Sequence, residues 1–257
     1  DLHSTSRRQR QMCIRDSMRR KIITLILIIG LWQGFALSID KAVILPLPLV
    51  VFNQMFNLAT SQSFYIAIGA TLSRVALSFF LALIVGTILG VFSGLFKSVN
   101  EYLAPIFSFL QTIPQIAYIL ILLVWFKSLT ALIIIVLLMI LPVFYNNAVN
   151  GIKNISNDLN DVTILYHHPF KFNLIHVYLP LIKGYIVSAV ETALPQSLKV
   201  GVMAEIFVSS NQGIGKQLYF ARAQIDMVSI FAWTIWMVII IMLITYFTNK
   251  IINKDKK

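Results

Sequence analysis

The chain has 257 residues, 58% of them hydrophobic and only 12% charged, with a formal net charge of +11 and a mean hydropathy of +0.81. A soluble domain of this length carries about twice that charged fraction, so a water-soluble globular fold is excluded and an integral membrane protein is indicated. The single cysteine, Cys13, falls in a segment set apart below, so disulfides, thiolate metal sites and cysteine nucleophiles are excluded from the rest.

Residues 1–17, DLHSTSRRQRQMCIRDS, are polar and basic and stop abruptly at Met18. They read as a non-native leader or sequencing scar, which leaves 18–257 as one helical bundle. The leader contributes +2 of the charge and leaves +9 on the remainder. Six apolar runs then predict membrane helices at about Ile22–Leu37, Ser73–Phe96, Leu103–Phe126, Leu129–Tyr145, Ile182–Val208 and Val228–Phe247. Between the first two, Pro46 and Pro48 forbid a continuous helix, and a short surface helix is expected after them. In the second run Gly86, Gly90 and Gly94 recur every fourth residue, a small face for close helix packing or a dimer contact. Pro114, Pro142 and Pro195 predict bends.

Four ionisable residues fall at or near membrane depth: Arg74, Glu191, Lys199 and Glu205. Such groups face a cavity or a partner, and they are candidates for the lining of a polar route. The bland alternative is pairing between helices or reaching for the rim, for which Arg74 and Glu205 are the better placed. Basic residues set the orientation. With the N-terminus inside, the inner segments hold eleven Lys and Arg and the outer segments four. Both termini are therefore expected in the cytoplasm, and the basic excess needs no nucleic acid to explain it.

NQGIGK, Asn211–Lys216, lacks the first glycine and the final Ser or Thr of a phosphate-binding loop, so no ATP is expected on this chain. His167, His168 and His176 match no common ligand spacing, and no metal is expected. No paired carboxylates or nucleophile–base set stands out, so an enzyme reading has no support. The longest cytoplasmic loop, about 146–180, has the composition of a docking surface. Ser156 suits an N-cap, and Leu159, Val162 and Tyr166 form an apolar stripe at helical spacing. Pro169 ends that helix at His168. A second short helix is expected over Phe170–Tyr178, with Leu179 and Pro180 opening the next span.

DVTILYHHPFKFNLIHVYLP resembles the ATPase-docking loop of ABC importer permeases, which carries Glu-Ala-Ala, three residues, Gly, nine residues and Ile-x-Leu-Pro. Asp161, Val162 and Thr163 fall on the triplet, and Val177, Leu179 and Pro180 on the ending. His167 replaces the glycine, so the bend is expected at His168–Pro169 instead. ILPLPLVV, TLSRVALSFFLALIVGTILGVFSGLF, FLQTIPQIAYILILLVWF and SLKVGVMAEIFVSSNQGIGKQLYFARAQIDM resemble, in the same order, segments of the taurine, aliphatic-sulfonate and nitrate permeases of that family.

The resemblance implies an all-α, type I importer permease of about six spans in a bacterial inner membrane, embedded in lipid. It implies a second copy of the permease, a cytoplasmic ATPase dimer that carries the ATP and Mg, and an extracytoplasmic solute-binding protein. The docking residues it implies are Leu159, Asp161, Val162, Thr163, Tyr166, His167, Leu179 and Pro180. The solute is expected to be a small anion, such as a sulfonate, taurine or nitrate, or a compound like a thiamine precursor. Two other readings stay open at this point: an ion-driven secondary transporter using Glu191, Lys199 and Glu205 as a relay, and a membrane scaffold that transports nothing.

Overall fold

The structure is a computed structural model and describes residues 2–155, 169–208 and 210–254. Lipid offers no partner to a backbone N–H or C=O, so each apolar run must close its own hydrogen bonds, and it does so as helix. The helices are α1 (Leu2–Ile39), α2 (Pro48–Ala59), α3 (Gln62–Leu95), α4 (Lys97–Thr112), α5 (Gln115–Trp125), α6 (Ser128–Lys153), α7 (Phe170–Val208), α8 (Ile214–Ala223) and α9 (Met227–Lys254). Among the described residues there is no strand. Among the described residues five helices are long and apolar enough to cross a membrane, or six spans if α4 and α5 count as one bent span.

That bend corrects the expected single helix over Leu103–Phe126. The axes of α4 and α5 turn by 101° at Ile113–Pro114. Pro114 holds Ile113 in extended geometry (φ −68°, ψ 129°), as its ring disfavours the helical basin for the residue before it. The N–H missing at Pro114 is the one the Leu110 carbonyl would have accepted. The Tyr118 hydroxyl, on the first turns of α5, donates to that carbonyl instead at 2.5 Å. The helices also outrun the apolar text. α3 begins at Gln62 rather than Ser73, and α6 continues to Lys153 rather than stopping at Tyr145. Hydropathy marks where lipid ends, and polar residues such as Asn146, Asn147 and Asn150 carry helical bonds past that level.

The chain divides into two units, Asp1–Ser61 with Ala221–Thr234 and Gln62–Phe220 with Ile235–Lys257. In the first, Trp32 donates from Nε1 to the Pro46 carbonyl at 3.0 Å and stacks on Phe231, the ring centroids 5.5 Å apart. Pro48 occupies the first turn of α2, where its missing N–H costs nothing. Asp226 caps α9 by accepting the Ser229 N–H at 3.1 Å. Just before it, the Asp226 and Ile225 N–H groups bond back to the Ala221 and Arg222 carbonyls, the pattern of a Schellman turn. Ile225 takes the left-handed position there (φ 57°), which glycine would hold at lower cost.

In the second unit α6 is the central helix, with Leu132, Ile135, Val136, Ile140 and Phe144 wholly buried. The glycine face of α3 lies along it. A Cβ on Gly86 would stand 2.8 Å from Phe144 Cβ, one on Gly90 2.5 Å from the Tyr145 carbonyl oxygen, and one on Gly94 2.6 Å from Ile152 Cβ. That face is filled by the chain's own helix and leaves no room for a dimer contact through these glycines. Polar closure follows at the same level: the Ser93 hydroxyl bonds Tyr145 at 2.7 Å, and Tyr145 stacks on Phe107 at 3.7 Å.

Gly69 lies on the same helix with nothing near its missing Cβ. Gly69→Ala should leave stability unchanged or raise it by up to about 1 kcal/mol through helix propensity. Gly90→Ala should lower it by about 1–3 kcal/mol, because backbone must move. Unfolding of the two purified variants in one detergent checks the contrast.

Candidate functional site

Leu159, Asp161, Val162, Thr163, Tyr166 and His167 lie outside the described residues, but both attachments of their segment are placed. On one side Ile155, just beyond α6, packs against a small core of Val91, Ala148, Ile152 and Ile182, joined by Leu174 and Tyr178 of α7. On the other, Phe170 opens α7 and sets its ring 5.9 Å from Phe96 and 6.4 Å from Phe92, at the end of α3. The segment therefore leaves from, and returns to, the meeting point of α3, α6 and α7.

The expected separate helix over Phe170–Tyr178 is instead continuous with the span. Pro180 lacks an N–H and would press on the carbonyl four residues back. The turn before it, Leu174–Tyr178, is wound as π-helix, and the Leu179 N–H donates to the Leu174 carbonyl, five residues back. The wide turn admits the proline without breaking the rod. Leu179 and Pro180 are exposed on it, and His176 lies flat on Phe172 with centroids 4.4 Å apart.

At the other end of α7 the structure builds a closed ionic site. Gly201 lets α7 approach α3 so closely that a Cβ there would collide with Val75. One turn along each helix from that contact stand Glu205 on α7 and Thr71 on α3, with Arg74 beside them. Arg74 Nη1 meets Glu205 Oε1 at 3.0 Å, and the side chains are 16% and 1% exposed. The Thr71 hydroxyl donates to Glu205 Oε2 at 2.8 Å, and the Gly215 N–H to the same oxygen at 3.0 Å. Thr71 Oγ1 accepts the Ile214 N–H at 2.9 Å, and Arg74 reaches the Gln212 carbonyl at 2.6 Å. The first N–H groups of α8 are thus satisfied by side chains of α3 and α7, with a carboxylate at the positive end of the helix.

This accounts for the two glycines of NQGIGK. Gly213 adopts φ +141°, and a Cβ on it would lie 2.5 Å from Glu205 Oε2; one on Gly215 would strike Glu205 Cβ. The glycines let backbone close over a carboxylate of the same chain, the reverse of a loop that cradles phosphate. Of the two bland alternatives for Arg74 and Glu205, the structure builds pairing between helices and not reaching for the rim: burial removes water from both, and each becomes the other's counter-charge.

Residues 82–257 match the family described as the binding-protein-dependent transport system inner membrane component. The chain belongs to this family. It is similar to the bicarbonate transport system permease protein of Synechococcus elongatus, 32% identical over 60% of this chain and 56% of that one. It is similar to the nitrate import permease protein of Leptolyngbya laminosa, 28% identical over 79% and 76% of the two chains. A Bacillus subtilis chain named for aliphatic sulfonate transport is 26% identical over 76% and 71%. The permease spans just over half the length of the bicarbonate relative. The family is one of non-catalytic, multi-pass inner-membrane subunits.

Of the four charged residues singled out in the permease sequence, the fold joins Arg74 and Glu205 and keeps Glu191 and Lys199 apart from them. Glu191 is half-buried on α7 and Lys199 exposed, and among the described residues neither makes an ion pair. Thr71 and Tyr118 were not singled out by sequence reasoning, and Gly213 and Gly215 were read only as part of a failed phosphate-binding loop. Gly213 and Gly215 carry a faint signal, a G-x-G pair within ten residues of a membrane-depth glutamate, and Thr71 carries none. Tyr118 carries its own, a hydroxyl one turn after a proline.

Arg74→Ala strands a buried carboxylate and should destabilise the permease by about 3–5 kcal/mol. Arg74→Met with Glu205→Leu removes both charges and should recover part of that loss. Chemical unfolding reads the energies, and trypsin cutting after Lys216, faster in the single variant than in the double, reads release of the turn.

Proposed function

We propose that this chain is the membrane-spanning subunit of an ABC importer for a small anion, working as a pair with a second copy. In this reading both termini are cytoplasmic, the loop of about 146–180 seats a separate ATPase dimer that binds ATP and Mg, and a solute-binding protein delivers cargo at the opposite face. The class of solute follows from relatives named for bicarbonate, nitrate and aliphatic sulfonates. The observation that carries the coupling role is the seating of both loop attachments on α3, α6 and α7. A force on the loop then reaches three core helices through Ile155 and Phe170 rather than dissipating in a flexible tether. The relay reading loses one of its three members, because Glu205 is closed into an ion pair with Arg74 and accepts hydrogen bonds from the Thr71 hydroxyl and the Gly215 N–H.

Val162→Glu places charge on the loop's apolar stripe. It should abolish co-purification of the ATPase and solute uptake while the permease keeps its elution profile and thermal stability. Uptake and co-purification at the level of the unaltered protein would overturn the docking role.

A further inference from the structure

One cavity lies beside three of the prolines: Pro142 lines it, and Pro114 and Pro195 each adjoin a lining residue in the chain. It has a volume of about 250 Å³ and is walled by Gln111 and Gln115 on either side of the α4–α5 bend, Met139, Pro142 and Val143 of α6, and Gln196 of α7, next to Pro195. Met139 and Pro142 lie on the apolar stretch of α6, between its middle and the level of Asn146 where polar residues begin, so a crossing α6 holds the cavity within the span. Its lining contains no charged residue.

Primary amides at that depth are costly unless they meet water or a hydrogen-bonding partner. Among the described residues, none takes the side chain of Gln111, Gln115 or Gln196 as a hydrogen-bond partner. Gln111 and Gln115 are exposed and Gln196 is half-buried, so the amides border an open space rather than a packed core. Each amide offers two N–H donors. Gln115 is also the first residue of α5, which has no side-chain cap, although its Ala117 N–H donates to the Pro114 carbonyl at 2.9 Å. The cavity therefore presents neutral amides, each with N–H donors and a carbonyl acceptor, and lacks both the carboxylate a cation would want and the guanidinium that would hold an anion too long. A transit site needs such moderate attraction: enough to enter, weak enough to leave.

We propose that this glutamine-walled cavity is the intramembrane resting site of the solute, and that it accepts small oxyanions through neutral amide N–H groups rather than through an ion pair. The assignment rests on the importer reading for its cargo and its sign, and on the cavity's uncharged polar lining for the way the cargo is held.

The test uses the full chain in membranes with Cys13→Ser, which removes the only thiol. Gln111→Cys, Gln115→Cys and Gln196→Cys are each exposed to an anionic sulfonatoethyl and a cationic trimethylammonioethyl methanethiosulfonate, with every rate divided by that of the reagent with a free thiol. Leu120→Cys, on an exposed apolar position of α5, is the lipid-facing control. The expected result is modification at all three positions, at least tenfold faster than at Leu120→Cys, with a normalised preference of several-fold for the anionic reagent. Rates equal to the control at all three positions overturn the cavity as an aqueous site, and a cationic preference overturns the oxyanion class. Separately, Gln196→Leu in vesicles holding the whole transporter should cut uptake of nitrate, bicarbonate or an alkanesulfonate at least tenfold, with Gln196→Asn retaining more. Uptake by Gln196→Leu within twofold of the unaltered transporter also overturns the site. If the unaltered complex moves none of the three, the importer reading of the cargo fails, while the thiol rates still decide the cavity.

Discussion

The near-contact of α3 and α6 backbones is the constraint on which the rest depends. Lipid is as apolar as leucine, so no hydrophobic force drives two helices together inside it, and close approach has to supply dispersion contacts instead. Gly86, Gly90 and Gly94 remove the atoms that would hold the helices apart, and α6 becomes a helix surrounded by protein. The placement of α7, the seat of the loop and the position of Pro142 beside the glutamine cavity all inherit that geometry.

A second theme is the replacement of lost backbone partners by side chains. Where Pro114 removes a donor, Tyr118 supplies one. Where α8 begins without acceptors for its first N–H groups, Thr71 and Glu205 supply them across two other helices. Where α9 begins, Asp226 does so locally. Each replacement lets the chain change direction without stranding a polar group, and the charged one also fixes the α7–α8 turn against α3.

The sequence made the helical class, the short helix after Pro48 and the importance of Glu205 legible, because each rests on a local property: a long apolar run, a proline, a charge at membrane depth. It did not show that Arg74 and Glu205 pair, since they are separated by 131 positions and meet only because Gly201 admits Val75. The sharp α4–α5 turn was hidden by unbroken hydropathy on both sides of Pro114. The seamless start of α7 was hidden because Pro180 reads as a stop, and only a change of winding lets a helix pass through it. The glutamines of the cavity were silent for a similar reason: singly they are unremarkable, and it takes the α4–α5 turn and the packing of α7 beside it to gather them.

The π-wound turn at Leu174–Tyr178 ties winding to direction. It holds about one residue more than an α turn, so tightening it would swing everything before it around the helix axis by about 100°. Phe170 would then leave the aromatic seat formed by Phe92 and Phe96. The rings and the loosened coil therefore act as a matched pair: the rings set the azimuth at which the chain emerges, and the coil stores the slack that lets Pro180 be passed at that azimuth. A smaller side chain at position 170 would free the rod to rewind, and the attached loop would point elsewhere with no change in the membrane-embedded bundle.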